Sequence, residues 1–184
     1  NTSGSWNTAV GYQASFLNTT GVDNTAMGTA ALYPNTTGNY NAAFGSASLR
    51  QNTTGSSNTA LGQSALNNNT TASNNTAVGY QAGYSNTTGT QITALGVQAL
   101  RLNTTGNYNS AVGVNSLLSN TTGSKNTAIG DSSLINNTTA DGNTAVGYQA
   151  GYSNTVGRQN VAVGYLALRD GTHTTLGDYF NTAV

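Results

Sequence analysis

The sequence predicts an all-β protein: a parallel β-roll or β-solenoid of about ten coils, each seventeen residues long. Three observations predict it. The segment Asn7-Thr8-Ala9-Val10-Gly11 restarts, with variation, at Asn24, Asn41, Asn58, Asn75, Ile92, Asn109, Asn126, Asn143 and Asn160. A fixed period this short means one unit stacked on itself, not a conventional globular core. Within the unit, Thr-Ala-Val-Gly alternates in size as a strand does. Recurrent Gly and Asn-Thr-Thr disfavour a helix. Asn-Thr-Thr-Gly or a near variant, first at Asn18-Thr19-Thr20-Gly21, reads as a turn whose Gly is free to take positive φ.

Numbering the unit from Asn7 gives each position a role. Position one is Asn, with Ile92 the exception. Position three is Ala and position five Gly throughout. Position four is always apolar: Val10, Met27, Phe44, Leu61, Val78, Leu95, Val112, Ile129, Val146 and Val163. Position nine is mostly Leu, replaced by Ser15, Gly83 and Gly151. Each coil is expected to hold a short strand, a variable bend, a second short strand and a tight turn. At about 3.3 Å per residue, seventeen residues give a contour of roughly 56 Å, enough for one flattened coil.

Stacked coils place identical residues above one another. Asn carries both an amide donor and an acceptor, so it can bond to the copies above and below. A ladder is therefore expected at Asn18, Asn35, Asn52, Asn69, Asn86, Asn103, Asn120 and Asn137. The same residues fit the Asn-x-Thr glycosylation acceptor, the alternative reading of that column. Ile92 should break one rung of the other Asn column, at modest cost if that site is at the surface.

The repeat makes residues 1–184 a single solenoid domain. It has a partial coil over 1–6, an irregular last coil over 160–180 and a partial coil over 181–184. Gly171-Thr172-His173 lies within the surplus of the irregular coil, which is read as a bulging loop. Asn1 enters the repeat partway through and Asn181 opens a copy that is not finished, so the expectation is a fragment of a longer fibre or a processed product. A second period of 68 residues lies over the first. Asn-Thr-Ala-Val-Gly-Tyr-Gln-Ala occurs at Asn7, Asn75 and Asn143. Duplication of a four-coil block accounts for it; the alternative is a surface pattern repeating every fourth coil.

Composition narrows the functional classes. Five Lys and Arg balance five acidic residues, and all five acids are Asp. No basic field exists to hold a phosphate backbone, which argues against nucleic acid. No apolar run approaches membrane-spanning length, so direct membrane insertion is not expected of this segment. There is no Cys. One His cannot assemble a typical metal site, and no cofactor motif is present. Paired carboxylates for sugar hydrolysis are not evident among Asp23, Asp131, Asp141, Asp170 and Asp178, which are scattered through the repeat. Asp170 and Asp178 flank His173, a grouping better read as a solvated loop. An enzyme is not expected.

Strand alternation leaves two orientations open. If position four faces inward, the outer strip is Ala and Gly, smooth enough for another backbone to approach. If it faces outward, the ten apolar residues form a stripe roughly 48 Å long and about 10 Å wide, more than the ~400 Å² that monomers usually leave bare. Either arrangement favours another copy of the chain as partner. Tyr12, Tyr80, Tyr148 and Tyr165 share position six, and Tyr33, Tyr84 and Tyr152 share position ten. Exposed aromatics of this kind are candidates for stacking on surface glycans or a host receptor, or for oligomer contacts.

The restarting Asn-Thr-Ala-Val-Gly unit resembles the head repeats of trimeric autotransporter adhesins, with their Asn-Ser-Val-Ala-Ile-Gly signature. It is also similar to repeats of bacteriophage tail-fibre proteins. Thr8 stands where the adhesin signature has Val, and the period is longer than is usual there. The resemblance implies a left-handed roll, a parallel homotrimer and an extracellular place on a cell-surface appendage or virion fibre. It implies attachment as the function. A competing expectation is an ice-binding solenoid, since Thr recurs at positions two, thirteen and fourteen.

Overall fold

The structure is a computed structural model and describes residues 2–170 and 182–183. Its strands are β1 (Thr8–Val10), β2 (Thr25–Met27), β3 (Ala42–Phe44), β4 (Thr59–Leu61), β5 (Thr76–Val78), β6 (Thr93–Leu95), β7 (Ser110–Val112), β8 (Thr127–Ile129), β9 (Thr144–Val146), β10 (Val161–Val163) and β11 (Thr182–Ala183). They form one sheet in sequence order. Every pairing is parallel, and Thr8 faces Thr25 as Thr25 faces Ala42. The offset is one repeat, so like residues stack on like. Only the last pairing departs, with Val161 opposite Thr182. The chain is a parallel β-solenoid of about ten coils, and no helix occurs among the described residues.

Each coil holds one three-residue strand, not the two expected. Backbone handedness gives the reason. Positions seven, nine and seventeen take left-handed φ, as at Gln81 (56° at Gln98, 54° at Gln81), Leu66 (48°) and Tyr40 (58°). Three such corners in seventeen residues turn the chain too often for a second extended run. The left-handed region costs roughly 1–2 kcal/mol for a residue with a Cβ. At position nine the cost is met by burial: Leu32, Leu49, Leu66, Leu100 and Leu117 are completely enclosed. Burying a leucine contributes about 1.5–3 kcal/mol, enough to hold it there.

The interior is thin. Ala26, Ala43, Ala60, Ala77, Ala94, Ala111, Ala128 and Ala145 at position three all face inward with no exposed surface. Position four therefore points outward, which decides between the two strand orientations. Gly at position five has φ near 130° and packs against the Gly of the next coil; a Cβ on Gly62 would lie 2.6 Å from the Gly79 carbonyl oxygen. Such close approach is open only to glycine.

The glycines of Asn-Thr-Thr-Gly follow a different rule. Gly21, Gly38, Gly55, Gly89, Gly106 and Gly123 are not in the positive-φ region, contrary to the turn expected from sequence. Space is tight there, since a Cβ on Gly89 would lie 2.5 Å from both Asn86 Oδ1 and the Gly106 carbonyl oxygen, yet Ala72 and Ala140 stand in the same column, so the turn can shift to admit a methyl.

Two asparagine columns close each coil. Asn35 Nδ2 donates to Asn18 Oδ1 of the preceding coil at 2.8 Å and to the Gly38 carbonyl at 2.9 Å. The same link passes from Asn52 to Asn35, Asn69 to Asn52, Asn86 to Asn69 and so on to Asn154. The position-one column works differently. Asn24 Oδ1 accepts the backbone N–H of Asn41 in the next coil, while Asn24 Nδ2 donates to the Gly38 carbonyl. One glycine carbonyl thus ties the start of a coil to its end. All these amides are buried, where an unpaired polar group would cost about 1–3 kcal/mol.

Ile92 is buried, not at the surface as the modest-cost expectation required. Its backbone N–H still donates to Asn75 Oδ1 at 3.0 Å, but its side chain offers neither the donor nor the acceptor of the column.

Candidate functional site

With the interior filled by Ala, Leu and Asn, anything the chain recognises must meet its outer columns. Column four is the most continuous of them. Val10, Met27, Leu61 and Ile129 are exposed; Phe44, Val78, Leu95, Val112, Val146 and Val163 are half-buried against their neighbours. In-register pairing of β1 to β10 places all ten on one face of one sheet. Position two lies on that face as well, two residues along each strand, so Thr25, Thr76, Thr93, Thr127 and Thr144 run beside the apolar stripe.

Beyond Gly at position five, column six widens the stripe in places. Tyr80, Val97 and Val114 are exposed in three successive coils. Asp131 follows and accepts a hydrogen bond from the Ser132 hydroxyl at 2.6 Å. Of the four position-six tyrosines, only Tyr148 and Tyr165 meet, stacked with centroids 5.4 Å apart. Tyr12 and Tyr80 stack on no other ring among the described residues, and both are exposed. At position ten, Tyr33 stacks on Phe16 at 6.1 Å, Tyr152 lies 5.9 Å below the Arg169 guanidinium, and Tyr84 is half-buried.

The Asn-Thr-Thr columns divide sharply. Asn18, Asn35, Asn52, Asn69, Asn86, Asn103, Asn120 and Asn137 are enclosed, with their amide nitrogens committed to the ladder. The fold has no room for a glycan on them. Thr36 at position thirteen turns its hydroxyl to the Thr53 carbonyl of the next coil at 3.0 Å, and its counterparts do the same. Position fourteen is a free row: Thr20, Thr37, Thr54, Thr71, Thr88, Thr105, Thr122 and Thr139 are all exposed.

The acids are dispersed. Asp23 is exposed, Asp141 pairs with Arg158 at 3.4 Å, and Asp170 lies 3.9 Å from Arg169. Asp178 and His173, with the expected loop, fall outside the described residues. No group of three metal-ligating side chains occurs among the described residues.

Sequence reasoning passed over column seventeen. Trp6, Tyr40 and Tyr108 are among the most exposed aromatics of the chain. The 68-residue spacing of Tyr40 and Tyr108 was the available signal. No protein-family model, curated protein or solved structure matches the chain.

Proposed function

We propose that the chain is a structural and adhesive segment of an extracellular fibre, working as a parallel homotrimer of left-handed rolls. The trimer and the handedness follow the resemblance to adhesin heads and tail fibres. Attachment to a host or surface is the role, and no catalysis is involved. The observation that carries this reading is the outward apolar column from Val10 to Val163 on one uninterrupted sheet. A stripe of that length is the kind of surface that soluble chains cover with a partner. A self-similar rod finds its best match in another copy at the same height, with heads of like pattern facing one another. Sister rods would then present identical outer columns, and many weak contacts would sum through avidity.

Sedimentation equilibrium tests the assembly. A particle of three times the chain's 18.7 kDa is expected, elongated in shape. A monomer across the micromolar range would end the reading.

A second reading has its own observation. Position-two threonines share a flat parallel face with the apolar column, a surface that an ice lattice could meet. Ice binding needs that face bare, whereas the trimer covers it. Thermal hysteresis from an unassembled chain would favour ice; its absence favours the fibre.

A further inference from the structure

One hollow interrupts the otherwise continuous ridge of column seventeen. Elsewhere this column carries a side chain in nearly every coil, such as Tyr40, Asn74, Gln91 and Tyr108. At Gly142 it carries none. Gly142 has φ +72° and lies between Lys125 one coil earlier and Gln159 one coil later. Beside it lies an open hollow of about 270 Å³, lined by Lys125, Asp141, Gly142, Arg158 and Gln159.

The charges here are out of proportion to the chain. It has five basic residues in all, and two of them, including its one lysine, line this space. Asp141 is already occupied. Its Oδ1 accepts the Ser124 backbone N–H at 2.7 Å, and its Oδ2 lies 3.4 Å from Arg158 Nη1. That contact steadies the guanidinium while leaving Arg158 about two-fifths exposed, with further N–H groups to offer. Lys125 is exposed and forms no ion pair among the described residues. The lining carries one net positive charge.

We propose that this hollow binds one acidic sugar ring of the uronate class. A guanidinium fork pairs with a carboxylate bidentately, and the nearby ammonium adds a second attraction. Asp141 retains lone pairs that accept a ring hydroxyl, and the Gln159 amide both donates and accepts. A dianion such as phosphate would be opposed by Asp141, so a monoanionic carboxylate fits the charge better. The volume lies below the ~300–1,000 Å³ of drug-sized pockets and suits a single ring. The proposal stands apart from the assembly and attachment reading, because it concerns one hollow on one chain.

The test is saturation-transfer NMR on the whole chain with glucuronate and galacturonate. Glucose, galactose, acetate and sulfate serve as comparisons. Uronates are expected to bind at least about tenfold more tightly than the neutral sugars and than acetate. Gly142→Gln places there the residue found at positions 91 and 159 and should abolish the signal, as should Arg158→Ala, with the circular dichroism of the solenoid kept in both and Tm lowered only slightly in the first. Equal signals from glucose, full competition by acetate or sulfate, or an undiminished signal in Gly142→Gln would overturn the proposal.

Discussion

Ile92 Cδ1 lies 3.6 Å from where a Cβ on Gly83 would stand. The two residues break the repeat in adjacent columns, one losing a leucine and the other losing an asparagine, and they do so side by side. Isoleucine fills part of the volume that the missing leucine leaves. At the other glycine of that column, Gly151, the residue equivalent to Ile92 is Asn160, and a Cβ there would meet Leu134 Cδ2 at 2.9 Å and Ala145 Cβ at 3.6 Å instead.

This pairing predicts coupled substitutions. Ile92→Asn alone restores the amide column but opens a void, and should lose about 1–2 kcal/mol. Gly83→Leu alone crowds Leu66 Cδ2, which a bare Cβ would already approach to 3.0 Å. The double variant recreates the arrangement of the regular coils. It should be more stable than the sum of the singles by about 1 kcal/mol or more in a double-mutant cycle read by thermal unfolding. Strict additivity would refute the coupling.

The buried amide column predicts an intolerance of carboxylate. Asn86 Nδ2 donates to Asn69 Oδ1 at 3.0 Å and to the Gly89 carbonyl at 2.8 Å, and its Oδ1 accepts from Asn103. Asn86→Asp keeps the acceptor and removes both donors, setting oxygen against oxygen in an enclosed site. A loss of about 3 kcal/mol or more is expected. Hydrogen exchange should show protection falling first in coils 69–103 and much less at the ends, since coils couple mainly to neighbours.

The two glycine columns should respond differently to alanine. Gly96 has φ +136°, and a Cβ there would lie 2.5 Å from the Gly113 carbonyl oxygen. Gly96→Ala combines a strained dihedral with a backbone clash and should cost about 3 kcal/mol. Gly89→Ala meets comparable crowding but no positive φ. Ala72 and Ala140 already occupy its column, and the Ala72 carbonyl still accepts from Asn58 and Asn69, both at 2.9 Å. Its cost should stay within about 1 kcal/mol. Denaturant midpoints for the pair decide the matter.

If the apolar column is the face between sister chains, a charge at its centre should disperse them. Leu61→Asp and Ile129→Asp replace exposed side chains, so the isolated coil should keep its ladder and its circular dichroism. The expected outcome is a shift from trimer to monomer in sedimentation velocity. A trimer that survives both substitutions would move the contact to another column.

The period alone made the stacking legible, because restarts from Asn7 to Asn160 leave no other economical arrangement. The amide ladder was also legible, since a polar side chain can satisfy copies of itself in a stack when it carries both a donor and an acceptor; its burial was not. The side that Val10 faces was not. Alternation in Thr-Ala-Val fits both orientations, and the outcome turns on how little room a seventeen-residue coil encloses. Ala at position three fits beside the leucines; Val or Phe there would not. The left-handed corners were hidden for another reason. Leu, Gln and Tyr at positions nine, seven and seventeen carry no local mark of that conformation, which the stacked neighbours impose. The hollow at Gly142 has no mark in the sequence, because a single glycine in a glycine-rich repeat looks like any other.

Register between coils has an evolutionary corollary. Because Thr8 pairs with Thr25 as Thr25 pairs with Ala42, excising or inserting one whole seventeen-residue segment leaves every column matched. Unequal crossing-over between such tandem segments can therefore lengthen or shorten the rod without redesigning its cross-section, and reach becomes a trait that genetic exchange can adjust in steps of about 4.8 Å.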